Sequence, residues 1–118
     1  MTKEIQWYYH RKNCTSCTKA LSYMQENNIE LPELVIANKV KFNRSEALKM
    51  IRKHELAKIT RGQKVMTISI GNSTDDELAT LALGRSGTLR APAFVSGNHF
   101  MVGFNSDAYD AIFNQKSQ

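Results

Sequence analysis

The two cysteines of the chain, Cys14 and Cys17, stand three residues apart in the stretch "RKNCTSCT". Thiols at that spacing suit a dithiol–disulfide couple, half of a zinc site, or no chemistry at all, as two small buried hydrophobes. On the first turn of a helix their α-carbons would lie about 5–6 Å apart, within disulfide reach. The first would then meet unpaired N–H groups and the positive end of the helix dipole, with Arg11 and Lys12 just upstream, which favours its thiolate. Cys14 is therefore the expected nucleophile. Cys17 shares a helical stripe with Ala20, Leu21 and Met24, so it is expected to be buried and to resolve a mixed disulfide rather than start one. Zinc needs two further ligands, and the chain has neither a second CxxC nor an HxxxH; His10, His54 and His99 are scattered, and no metal site is assigned. Spacing alone leaves the inert-thiol reading open.

The elements around the pair follow from periodicity. "IQWYYH" (5–10) is aromatic and branched and reads as a strand, and "CTSCTKALSYMQENN" reads as a helix closing on Asn27-Asn28. "ELVIANKV" (33–40) is a second strand, parallel to the first, which makes a right-handed βαβ unit. "NRSEALKMIRKHEL" (43–56) is a helix opened by Asn43 and Glu46 in capping-box spacing. "KVMTISIG" alternates as a short strand does, and could equally be an irregular linker. "STDDELATLALG" is a helix with Thr74 as N-cap, Glu77 closing the box and Gly84 as the stop. "APAFVSGNHFMVGF" is a hairpin turning at Ser96-Gly97-Asn98, "NSDAYDAIF" a short capped helix, and "NQKSQ" a frayed end. The expectation is one α/β domain over 1–118, with a mixed four-stranded sheet, flanking helices, a helical insertion, and the CxxC at the N-terminus of the first helix.

Pro92, in "RAPAF", stands immediately before an apolar strand, a poor place for proline unless it opens the strand or forms a cis turn. A cis Ala91-Pro92 bond is expected. It would present the Ala91 backbone N–H and C=O beside Cys14, where an extended peptide or glutathione could pair with them. CxxC opening the first helix after the first strand is the context of a thioredoxin-like site.

Composition sets the frame. The 118 residues, with 42% hydrophobic, 23% charged and few Gly or Pro, describe a foldable globular chain. No apolar run approaches the roughly 20 residues of a membrane span. "MTKEIQWYYHRK" lacks the apolar core of a signal peptide, so a cytoplasmic location is expected, where a CxxC serves redox or metal chemistry more often than stapling. The net charge is +5, and it is concentrated: Lys39 to Lys64 holds nine basic residues against two acidic ones. Such a segment is either a solvated face of a basic helix or a docking surface for a protein partner. Direct nucleic-acid binding is not expected, because Phe42 is the only aromatic there to stack on bases.

"YYHRKNCTSCTKALSYMQENNIEL", "ITRGQK" and "LRAPAFVSGNHFMVGFNSDAYDAIF" together resemble the arsenate reductase (ArsC) and Spx family of thioredoxin-fold proteins. The resemblance covers most of the chain, is best at its two ends, is poor from Val65 to Thr88, and with "CTSC" points to Spx in particular. It implies Cys14 as the reactive cysteine, Cys17 as the second cysteine of the Spx branch, Arg61 as an anion-binding arginine and Pro92 as the cis-proline. Arg11, Arg61, Arg90, Ala91 and Pro92 are then the substrate-binding candidates. Two departures matter: Ala91 stands where the family carries an arginine directly before the proline, with Arg90 one step earlier, and "HFMVGF" lacks the later arginine of the reductase site. An oxyanion needs several convergent donors. The reading therefore moves from arsenate reduction toward thiol–disulfide exchange, or toward a redox-sensing adaptor as the Spx likeness implies for transcription. No bound cofactor is implied; a protein disulfide or glutathione is the expected partner, and glutathione or thioredoxin the electron donor.

Overall fold

The computed structural model describes residues 4–113; the end read as frayed, 114–118, lies outside them. The elements are β1 (Trp7–His10), α1 (Thr15–Glu26), β2 (Leu34–Ile36), α2 (Arg44–Ile51), β3 (Leu56–Arg61), β4 (Lys64–Ser69), a 3-10 turn (Ile70–Asn72), α3 (Asp75–Ala82), β5 (Ala93–Ser96), β6 (His99–Val102) and α4 (Ser106–Phe113). They build one six-stranded mixed sheet in the order β2-β1-β5-β6-β3-β4. Among the described residues no helix is long and apolar enough to cross a membrane.

Six strands replace the expected four. The difference is the β3–β4 hairpin, which pairs in parallel to β6 through β3 and closes over Gly62 and Gln63, with Gly62 at a φ of 62° that favours glycine. The helix expected over 43–56 ends at Ile51, with Arg52 as its C-cap, and "LAKITR" goes into the sheet. Ala57 and Ile59 alternate with Lys58 there and fill the core from one face. The strand expected over 33–40 shortens to Leu34–Ile36, parallel to β1 as expected.

The other local signals are realised. Both capping boxes are present, Asn43 with Glu46 on α2 and Thr74 with Glu77 on α3. The Asn105 side chain accepts from the Ala108 N–H at the start of α4.

Side-chain alternation splits the core into two layers. Tyr9, Ala93, Val95, Phe100 and Val102 face α2 and α3, while Tyr8, Phe94 and Met101 face α1 and α4. The sheet is thus covered by helices on both sides.

Candidate functional site

One end of the sheet collects the sequence-predicted residues. β1 runs parallel to β2 and antiparallel to β5, and β3 runs parallel to β6. The last residues of β1 and β3 and the first of β5 therefore lie at the same edge. That edge carries Arg11 and the cysteines after β1, Arg61 at the end of β3, and Arg90, Ala91 and Pro92 before β5. Carboxyl ends of parallel strands are where open α/β sheets place ligands.

Between β1 and α1 the chain turns sharply through Asn13, at a φ of 61°, a conformation asparagine tolerates better than most side chains. The turn is pinned by the Lys12 N–H, which donates to Asn38 Oδ1 at 2.8 Å. Cys14 is the N-cap of α1, extended in backbone and partly exposed. Its side chain makes no capping hydrogen bond, while its carbonyl accepts from both the N–H and the hydroxyl of Thr18. Cys17 lies one turn in, fully buried on the stripe with Ala20, Tyr23 and Met24.

Both thiols are free. Burial pushes the Cys17 thiol up to about 12. The Arg11 N–H, donating to Cys17 Sγ at 3.4 Å, works against that rise, and the neighbouring Cys14 sulfur adds to it. The pair is thus asymmetric, with Cys14 partly exposed and Cys17 buried where its protonated form is favoured. The Tyr8 hydroxyl, also buried, makes no hydrogen bond among the described residues; burial raises its pKa, and the nearby Cys17 adds to the rise.

The Ala91-Pro92 bond is cis, as expected from the sequence. Pro92 is buried and its carbonyl accepts from the Gly103 N–H at 2.7 Å. Ala91 is partly exposed, and its backbone N–H and C=O make no hydrogen bond among the described residues. The segment is braced by Arg90, whose guanidinium donates to the carbonyls of Thr60 and Leu81, each at 3.0 Å, and to Thr60 Oγ1 at 3.3 Å. Gly103, at a φ of 94°, packs so closely on this clamp that a Cβ would overlap Thr60 Oγ1.

Arg90 therefore holds the fold together at this edge more than it offers donors to a ligand. Burial lowers its pKa, and Arg61 nearby lowers it further. Arg61 itself is exposed at the end of β3.

A cleft of about 420 Å³ opens at the same edge. Of the site residues singled out in the sequence, Arg11, Arg90 and Ala91 line it, whereas Cys14, Cys17, Pro92 and Arg61 do not. Sequence reasoning missed Lys41, Arg85 and Thr88, which complete its wall. The loop "GRSGT" (84–88), an arginine among glycines and hydroxyls between a helix stop and an X-Pro strand, was the available signal.

The basic segment 39–64 is not one helix face. It runs through a loop, α2, β3 and the turn into β4, and its arginines on and beside α2 are spent internally. Arg44 pairs with Asp76 at 2.6 Å and Arg52 with Asp75 at 2.7 Å, tying α2 to the first turn of α3. Among the described residues no cluster of three His, Cys, Asp or Glu side chains could hold a metal ion.

No protein-family model matches the chain, and no curated protein matches it either.

Proposed function

We propose that the chain is a thiol–disulfide redox protein of thioredoxin-like fold and ArsC/Spx type, with Cys14 as nucleophile and Cys17 as resolving thiol. The observation that carries the reading is the asymmetry of the pair: a partly exposed Cys14 at the mouth of α1 and a fully buried Cys17 one turn inside. The strand order β2-β1-β5-β6, the cis Ala91-Pro92 bond and the open Ala91 backbone at the same sheet edge support it.

In the proposed reaction the Cys14 thiolate attacks one sulfur of a disulfide R–S–S–R′, forming Cys14–S–S–R and expelling R′–S⁻. Cys17 then attacks Cys14 Sγ, the intramolecular disulfide forms, and R–S⁻ leaves. The protons of the two protein thiols end on R–SH and R′–SH, the substrate gains two electrons, and the protein loses two. A thiol donor, glutathione or thioredoxin, would return them. Cys17, buried and with its thiol favoured over its thiolate, is the poorer first attacker, which supports this order of the steps.

Trapping tests this directly. Incubated with glutathione disulfide, the Cys17→Ser variant is expected to accumulate a mixed disulfide at Cys14, visible by intact mass, while wild type closes the Cys14–Cys17 bond and Cys14→Ser does neither. A Cys14→Ser variant that forms adducts as readily as wild type would sink the assignment.

A redox-controlled adaptor is the second reading, favoured by Lys49 and Lys53, which are exposed on and just after α2 and in no ion pair among the described residues. For that role Lys49→Glu with Lys53→Glu should weaken partner capture without changing disulfide turnover. Arsenate reduction has less support, because the Arg90 guanidinium is already bonded to Thr60 and Leu81.

A further inference from the structure

The cleft at this end of the sheet is lined by cations and by no acidic side chain. Arg11, Lys41 and Arg85 line it, and none of the three forms an ion pair among the described residues; Lys41 Nζ donates one hydrogen bond, to the Ala37 carbonyl at 3.3 Å, which leaves two of its N–H donors for a ligand. The loops that bring in Lys41 and Arg85 are both braced. The Tyr9 hydroxyl donates to the Val40 carbonyl at 2.6 Å and fixes the loop carrying Lys41. The Gly84 N–H donates to the Thr88 carbonyl at 2.8 Å, the Gly87 N–H to the Gly84 carbonyl at 3.0 Å, and the Ser86 and Thr88 hydroxyls bond to each other, so Arg85 sits on a closed turn. Tyr9, Leu89 and Ala91 give the cleft apolar wall for the stem of a side chain. There too the Ala91 backbone offers one donor and one acceptor without partners among the described residues.

We propose that this cleft binds an acidic, extended polypeptide segment, with its carboxylates on Arg11, Lys41 and Arg85 and its main chain pairing with Ala91. The volume of about 420 Å³ exceeds what a lone oxyanion fills and suits two or three residues. Guanidinium groups match carboxylates in a two-pronged geometry, and main-chain groups left open at the end of a strand can pair with an extended peptide. A nucleic-acid backbone would need a longer cationic track and an aromatic stacking platform. The consequence for catalysis rests on the thiol–disulfide reading: Arg11 leads into the Cys14 turn and its N–H touches Cys17 Sγ, so the cleft would select protein disulfides flanked by Asp or Glu.

The test separates the two claims. Fluorescence anisotropy of a labelled, cysteine-free peptide carrying four glutamates is measured on the reduced wild-type chain, against the same peptide with glutamines. The acidic peptide should bind at least tenfold more tightly, lose about tenfold on Arg85→Glu and on Lys41→Glu, and weaken steeply with added salt. Circular dichroism melts confirm that both variants fold. Equal binding of the glutamine peptide, or affinity unchanged by both substitutions, overturns the proposal. So does displacement of the peptide by a single-stranded oligonucleotide at lower concentration than by unlabelled peptide, or by glutathione, whose two carboxylates share the chemistry, at micromolar concentration. Disulfide-bearing versions of the two peptides then report on exchange. Peptide binding with no exchange in any variant would defeat the thiol reading and leave the cleft standing; exchange with no preference for the acidic peptide would defeat the cleft and leave the thiols.

Discussion

Arg52 and Arg90 on one side, and Arg11 and Arg85 on the other, are chemically the same side chain put to opposite uses. Arg52 donates to the carbonyls of Ile70 and Ser73 and pairs with Asp75, and Arg90 donates to Thr60 and Leu81; each stitches segments far apart in sequence. Arg11 and Arg85 are exposed, line a cleft and meet no described anion. A formal charge of +5 is therefore a poor guide to where positive potential is available. Cations whose donors are taken up by several carbonyls or by a carboxylate stabilise the fold, and those with donors to spare can attract a partner.

The largest break in that comparison should come at Gly103. Its N–H holds the Pro92 carbonyl, its left-handed backbone disfavours any side chain, and Thr60 Oγ1, the acceptor of Arg90, fills the space a Cβ would need. Gly103→Ala is expected to cost about 3 kcal/mol or more, because strain and overlap add. Urea unfolding measures it. Removing the overlapping hydroxyl with Thr60→Ala in the same chain should recover part of the loss, and no recovery would mean the clamp is not what the alanine disturbs.

A smaller contrast compares the two kinds of arginine directly. Arg52→Ala removes an ion pair and two carbonyl bonds at a partly exposed site, so a loss of about 1–2 kcal/mol is expected. Arg85→Ala should stay within about 0.5 kcal/mol of wild type, as surface changes without partners do. Equal losses in denaturant melts would erase the distinction. The same result shows that Arg52 is the wrong residue to reverse when probing the adaptor reading, since a damaged α2–α3 contact would imitate a lost interface.

How much of this was legible varies with the range of the interactions. The β1–Cys14–α1 unit, both capping boxes and the β5–β6 hairpin are written in neighbouring residues, and so was the expectation of a cis bond at Pro92. "LAKITR" was not legible as β3, because Leu56, Ala57 and Lys58 suit a helix as well and no Gly or Pro separates them from α2. What decides the matter is pairing with β4 and β6, from segments up to about 40 residues away. The cleft was hidden for the same reason. Lys41 and Arg85 are unremarkable in their own loops and acquire a role only when the sheet brings those loops together.

The smallest expected effect concerns a third kind of cation, one the fold discourages. His10, His54 and His99 are each partly buried, and burial first, then a neighbouring lysine (Lys12, Lys53 and Lys58), lowers the pKa of each below its usual 6.5. Nδ1 of His10 is in addition buried with no hydrogen-bond partner among the described residues. A folded-state pKa below the unfolded value means that the unfolded chain binds more protons in the interval between them, so stability rises with pH across it. The contribution is complete above about pH 6.5 and is lost as pH falls through the folded-state values. Thermal midpoints should therefore drop between pH 7 and pH 5, and His10→Gln, His54→Gln and His99→Gln should each remove part of the slope. A midpoint that rises toward pH 5 would mean these rings find anions in the fold, and would move them into the class of Arg52 and Arg90.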